Sequence, residues 1–293
     1  MKPPPFEYLS VDSVQAATAA LAAANGEGKL LAGGQSLMPM LNFRLLRPSV
    51  LIDINRIPDL AYLKDEGERI RIGALTRHRM IETSELVARQ LPVLSEAMGH
   101  VAHLAIRNRG TIGGSLSHAD PAAELPMMSM LLDAELELAS AKRRRTLSAS
   151  EFFVAALTTD LAEGEMLVSV SFPKMPPSAG WAFEEVARRS GDFALACVAI
   201  CLERSGDRVS HVRIGMMGVG DTPMRATETE ALLTSGRPLD DHLVAAAVGS
   251  IRASVEPNTD LHASADYRRH LVGVLAERAI RRAWSRATEA RHG

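Results

Sequence analysis

Two short stretches with paired glycines carry most of the chemistry this sequence can offer: Ala32-Gly33-Gly34-Gln35-Ser36 and Thr111-Ile112-Gly113-Gly114-Ser115. Adjacent glycines let backbone approach a ligand closely and adopt positive φ without steric cost. Successive N–H groups in such a turn can form a concave nest for an anion. Two such turns, about eighty residues apart, suit a ligand with a long phosphate-bearing body gripped from two sides. The second is followed by Asp120 and Glu124, carboxylates able to accept from ribose or ribityl hydroxyls. On spacing alone the same stretch is equally a tight turn with Asp120 capping the next helix.

Other chemistries find little support. Gly215-Met216-Met217-Gly218-Val219-Gly220 reverses the glycine order of a Rossmann fingerprint and reads as a strand end and turn. Gly26-Glu27-Gly28-Lys29 lacks the spacing and the Ser/Thr of a phosphate-binding P-loop. His100 and His103 would share a helical face, but no third metal ligand accompanies them. No nucleophile-and-base pair stands out, and His118 is the only base near a motif. The only two cysteines, Cys197 and Cys201, lie four apart in an apolar run that reads as a buried strand. Two thiols cannot hold an iron–sulfur cluster, which takes four ligands.

These residues must be positioned by about two domains, given 293 residues. With 46% hydrophobic and 23% charged residues the chain is of globular type, and its net charge of −2 directs it to neither nucleic acid nor an anionic membrane. No signal peptide or membrane span is expected, so the expected location is cytoplasmic, with the inner membrane surface reached only through partners. Val14–Ala24 reads as a helix capped by Ser10 or Asp12, Lys29–Ala32 as a strand entering the first glycine pair, and Val50–Ile54 as a buried strand. This β–α–β rhythm suggests a small α/β lobe over about 1–57. A second lobe, about 58–175, starts with a hairpin over Tyr62–Ile72 and continues with one helix from Leu91 to Leu104 and another over Ala122–Leu132. Strands follow over Ala134–Leu147 and Met166–Phe172, with Arg143-Arg144-Arg145 as a solvated hairpin tip. Pro173–Gly180 reads as a linker. Beyond it, Trp181–Arg188, Ala194–Leu202 and Val209–Met216 form three antiparallel strands. Helices follow over Thr227–Thr234, Asp241–Ser254 and Asp266–Arg286, the last with Tyr267, Leu271, Val274 and Leu275 on one face.

A resemblance adds to this reading. Ala32-Gly33-Gly34-Gln35-Ser36-Leu37-Met38-Pro39 with Asn42-Phe43-Arg44-Leu45, Arg47-Pro48 and Asp53-Ile54 resembles the first flavin-binding stretch of the molybdenum hydroxylase flavoprotein subunits. That family includes the medium subunit of aerobic carbon monoxide dehydrogenase and the flavin domain of xanthine dehydrogenase. Thr111-Ile112-Gly113-Gly114-Ser115 and His118-Ala119-Asp120-Pro121-Ala122-Ala123-Glu124-Leu125-Pro126 resemble its second stretch. Arg188–Ala194 resembles the segment beside the isoalloxazine ring, and Asp260–Leu271 the signature of the C-terminal domain.

The resemblance implies an α+β protein. Its N-terminal FAD-binding domain, of the vanillyl-alcohol oxidase or PCMH type with two α/β lobes, would cover 1–175. A small α+β C-terminal domain, a three-stranded antiparallel sheet with helices, would cover 178–286 and close on the flavin. It implies FAD as cofactor, with Ala32, Gly33, Gly34, Gln35, Ser36 and Leu37 on one side of the diphosphate and Thr111, Gly113, Gly114 and Ser115 opposite. Asp120 and Glu124 would meet the sugar part, and Asp192 and Phe193 the ring. Glu184 stands where xanthine dehydrogenase has a lysine, and its charge would disfavour a reduced anionic flavin. The implied partners are a large molybdopterin subunit and a small [2Fe–2S] subunit, in a dimer of heterotrimers. The competing expectation is a stand-alone FAD-dependent oxidase or dehydrogenase of a small molecule.

Overall fold

The computed structural model describes residues 2–288, which fall into two compact units. The first comprises 2–83, 103–119 and 134–172; the second comprises 84–102, 120–133 and 173–288.

In the first unit, strands Glu7–Ser10, Val50–Asp53 and Gly28–Leu31 form a parallel sheet with Val50–Asp53 in the centre. Leu51 and Ile52 of the central strand are buried, and Ile52 packs with Ala17, Ile54, Leu75 and Val168. The helix Val14–Ala23 is capped by Ser13, whose hydroxyl accepts from the Ala16 amide, and not by Ser10 or Asp12. Ser10 is still paired in its strand. A five-stranded sheet follows, in the order Leu63–Asp65, Arg69–Gly73, Met166–Pro173, Glu135–Ala139, Arg144–Ser148. Alternation in its second strand buries Ile70 and Ile72, and turns Arg69 to Ser171 and Arg71 to Glu137. The arginine run is not simply a solvated tip. Arg144 and Arg145 lie in a strand, and Arg145 pairs with Asp160 and Glu165, both at 2.7 Å.

In the second unit, strands Gly180–Ala187, Ala194–Ser205, Arg208–Met217 and the short Met224–Arg225 form an antiparallel sheet. The three expected strands are present and the two-residue fourth extends them. Helices Asp241–Ser254 and Ala265–Arg286 contribute to a core that includes Ile200, Ile214, Ile251 and Ile280. The buried stripe of the last helix runs through Leu271, Leu275, Ala276, Ala279 and Ile280. Tyr267, expected on that face, is exposed, and the buried position in the helix's first turn is held by Arg268. The single helix expected over Leu91–Leu104 is broken. Glu85–Gln90 ends before Pro92, and Pro92–Met98 ends at Gly99. Leu104–Arg107 is a separate short helix of the first unit. Proline at the first helical position restarts the chain, and the chain leaves the helical direction after Gly99, with Ala102 left-handed at φ of 44°. His100 and His103 therefore share no helical face, and among the described residues no cluster of potential ligands could hold a metal.

Candidate cofactor site

The strand Gly28–Leu31 delivers the chain into the first glycine pair, which the helix Leu37–Asn42 follows. Gly34 has φ of +72°, a conformation other residues rarely adopt. Gly33 is required for a different reason. A Cβ there would lie 2.3 Å from the carbonyl oxygen of Arg109, so only glycine lets the segment before the second glycine pair pass this close. The Gln35 side chain donates to the Gly33 carbonyl at 2.8 Å and holds the turn closed. Among the described residues, the backbone N–H groups of Gly33, Gly34, Gln35 and Ser36 have no hydrogen-bond acceptor, and the Ser36 hydroxyl caps nothing. A turn of unengaged amides beside a free hydroxyl is a donor set suited to phosphate oxygens.

These residues open on a cavity of about 370 Å³, also lined by Asp53, Asn55 and Arg109. That is near the small end of ligand sites, so it fits part of a dinucleotide. The Asp53 carboxylate accepts from Tyr8 at 2.6 Å and from the Asn55 amide at 2.8 Å. Burial pushes its pKa up, but these hydrogen bonds outweigh that and hold the group below the usual carboxylate range. It is an acceptor fixed at the cavity wall. Sequence reasoning singled out Asp53 only within the resemblance and missed Asn55 and Arg109. The signal was available in the strand order, because Val50–Asp53 lies beside Gly28–Leu31 and brings their C-terminal ends together.

The second glycine pair differs from the expected anion nest. Its residues lie in a helix, Ile112–His118, capped by the Thr111 hydroxyl. Every amide from Ile112 to Ser115 is engaged within the chain: Ile112 with the Thr76 carbonyl, Gly113 with the Ala74 carbonyl, Gly114 with the Thr111 hydroxyl and Ser115 with the Thr111 carbonyl. Gly113 is buried, and a Cβ there would lie 2.6 Å from the Ala74 methyl. Gly114 is exposed, and its added Cβ would meet only the Thr111 hydroxyl. The pair thus divides into one packing glycine and one open glycine. Just before the pair, Gly110 packs against the ring of His78, whose two ring nitrogens are buried without partners. Burial holds its pKa down at about 4.

In the second unit, Asp120 does not cap the helix Glu124–Leu131. Its carboxylate accepts from the Ala122 amide at 2.9 Å, making a local turn before the helix. Glu124 opens that helix and is 7% exposed; burial, then the neighbouring Asp120 charge, raises its pKa to about 7, against its own amide. Glu185, which sequence reasoning did not single out, has a buried oxygen without a partner. Burial and the charge of Glu124 push it up to about 8. Cys197 lies directly across from it in the sheet; both thiols are buried and have raised pKa values. Asp192 and the exposed Phe193 sit in the turn between two strands, where Gly191 has φ of +84°. Glu184 does not present a free charge, since Arg282 pairs with it at 3.0 Å. In the C-terminal signature, Arg268 is buried and ties its helix to the Leu195 and Gly218 carbonyls and to Asp260.

A strand-borne turn of free amides and a glycine-dependent close approach make a cradle suited to a phosphate-bearing ligand, and the comparisons with known proteins give the class as a flavoprotein. The family model described as the FAD binding domain in molybdopterin dehydrogenase matches residues 4–175, and that of the CO dehydrogenase flavoprotein C-terminal domain matches residues 181–283. The chain belongs to this family of FAD-binding medium subunits, and it is an oxidoreductase subunit whose cofactor is FAD. It is 43% identical to the 6-hydroxypseudooxynicotine dehydrogenase complex subunit alpha of Paenarthrobacter nicotinovorans, over 98% of this chain and 97% of that one. It is 39% identical to the carbon monoxide dehydrogenase medium chain of Hydrogenophaga pseudoflava, over 98% and 99%. Among solved structures, carbon monoxide dehydrogenase from H. pseudoflava lacking the Mo-pyranopterin moiety matches with a TM-score of 0.96 and 40% identity, over 98% of this chain and all of that one. Among the described residues no helix is long and apolar enough to cross a membrane.

Proposed function

We propose that this chain is the electron-transfer subunit of a heteromeric molybdenum hydroxylase, working with a large molybdopterin subunit and a small [2Fe–2S] subunit in a dimer of heterotrimers. The observation that carries the reading is the turn Gly33–Ser36, whose unengaged amides face no partner of their own chain. FAD, when bound, takes up electrons from the partner's clusters and releases them to an external acceptor. The chain's own residues bind and orient it. Gly33, Gly34, Gln35 and Ser36 donate to the diphosphate, and Ala32 and Leu37 frame the turn. Thr111, Gly113, Gly114 and Ser115 form a second wall, with Gly114 as its open position. Asp120 and Glu124 accept sugar hydroxyls, and Asp192 and Phe193 meet the ring. FAD binding is assigned to 1–175 and the C-terminal domain to 178–286. A cytoplasmic location, with membrane contact only through partners, belongs to the same proposal.

The two cysteines support a division of labour. Both are buried in one strand, so any cluster belongs to another chain. Relatives of similar identity are named for an alkaloid derivative and for carbon monoxide, which supports placing substrate choice on another subunit. The test is co-purification. The tagged chain should bring down a large molybdenum protein and a small cysteine-rich one. In that complex, substrate should bleach the flavin absorbance, whereas the separated chain with FAD should not respond. Direct bleaching of the isolated chain by the substrate would overturn the proposal in favour of a stand-alone dehydrogenase.

A further inference from the structure

The engaged amides of the second glycine pair leave an electrostatic gap. If that segment donates no backbone N–H groups, the charge of a diphosphate must be met by something else on its side. Arg109 lines the same cavity as Gly33 and Gly34. It is exposed, and among the described residues its guanidinium has no carboxylate partner. Arg77 lies beside it, donating to the Arg109 carbonyl and, at 2.7 Å, to Asn55 on the cavity wall. Arg77 also lacks a carboxylate partner, and burial followed by the nearby Arg109 charge lowers its pKa. Two guanidinium groups that repel each other gain when an anion arrives. The Asp53 carboxylate favours the charged form of Arg77 but hydrogen-bonds to Tyr8 and Asn55, and among the described residues it forms no ion pair with either arginine. Arg109 is the one cation among the described residues lining the cavity, and Arg77 stands beside it.

We propose that Arg109 supplies the counter-charge that seats the cofactor's diphosphate, and that Arg77 braces it by holding its backbone carbonyl. The inference rests on the FAD-binding reading above and adds to it a residue outside both glycine motifs. Arg109 is a binding residue, and Arg77 acts through it. The neighbouring carbonyl of Arg109 also sits against Gly33, so the brace fixes the close approach of the two segments as well as the charge.

The experiment titrates the full-length apoprotein with FAD, following flavin fluorescence at low and high salt, for wild type, Arg109→Gln and Arg109→Lys. A charge-assisted contact of this kind predicts FAD binding weakened roughly 10- to 100-fold in Arg109→Gln. The dependence of log affinity on log salt should flatten, because one screened charge pair is gone. Arg109→Lys should recover much of the affinity, since the charge returns without the planar fork. Riboflavin, which carries no phosphate, should bind wild type and Arg109→Gln equally. Equal FAD affinity in Arg109→Gln, an equal loss for riboflavin, or no recovery with lysine would overturn the inference. A wild-type apoprotein that takes up no FAD would instead overturn the functional reading beneath it.

Discussion

Substituting alanine at Gly113 and at Gly114, one residue apart in the same motif, should produce opposite phenotypes. At Gly113 the new Cβ would lie 2.6 Å from the Ala74 methyl and 2.7 Å from its carbonyl oxygen, the acceptor of the Gly113 amide. Neither atom is the end of a flexible side chain, so the helix start must move away from Ala74. Overpacking of that kind costs about 1–3 kcal/mol, and straining the hydrogen bond adds about 1 kcal/mol. A total of about 2–4 kcal/mol lowers melting by roughly 5–12 °C for a unit of this size. At Gly114 the Cβ meets only the Thr111 hydroxyl, which can rotate. Helix propensity then favours alanine by about 1 kcal/mol, offsetting a weakened cap of similar size. Gly114→Ala should therefore melt within about 2 °C of wild type as apoprotein, yet bind FAD at least tenfold more weakly, since the methyl occupies the open face. Differential scanning fluorimetry of the apoproteins and FAD titration separate the two effects. Equal losses of melting temperature would refute the division of roles, and wild-type FAD affinity in Gly114→Ala would refute the open face as cofactor wall.

Substitutions at three further sites test the titratable and paired groups. His78 has a folded pKa of about 4 against 6.5 for the free side chain, so the fold prefers its neutral form. Stability is full above pH 6.5 and falls by about 3 kcal/mol as pH drops to 4; His78→Phe should abolish that loss in urea melts at pH 7 and 4.5. Glu185 has the opposite sign. With its pKa raised from 4.5 to about 8, the apoprotein should lose up to about 4 kcal/mol as pH rises across that interval. Glu124, the other raised carboxyl near it, adds to the loss. Glu185→Gln should flatten the profile, and a variant as pH-sensitive as wild type would count against the assignment. Arg145→Met leaves the Glu165 carboxylate, 3% exposed, without its partner, which should cost about 3 kcal/mol or more. Adding Glu165→Gln should recover most of that stability.

What the sequence made legible follows from the range of the signal. Strict alternation over Arg69–Gly73 and the apolar run over Ala194–Leu202 placed their strands, because burial of one face or both is written into every second residue. The turn Gly33–Ser36 was legible as a glycine turn from its residue types, and its amides are unengaged among the described residues. The broken helix over Leu91–Leu104 was misread because its apolar spacing continues across Gly99, where the chain turns. Ser13, not Ser10, caps the first helix because pairing with Asp53 holds Ser10 in a strand, a contact more than forty residues away.

The second glycine pair shows why a motif string underdetermines a binding site. Thr-Ile-Gly-Gly-Ser reads the same whether its amides face a ligand or the chain's own carbonyls. The outcome here was decided by Thr76 and Ala74, which lie outside the string and accept the first two N–H groups. Once those acceptors are in place the helix starts at Ile112, and Thr111 and its own turn take up the next two. Four donors are thereby withdrawn from any anion, while two arginines, Arg77 and Arg109, stand together just before the pair. On the proposed reading the two walls divide the work: one would offer neutral N–H donors in a glycine turn, the other a guanidinium beside a braced carbonyl. Affinity for the first should be nearly independent of salt, and affinity for the second should fall with it. The salt slope of FAD binding therefore reports which wall a given substitution has damaged.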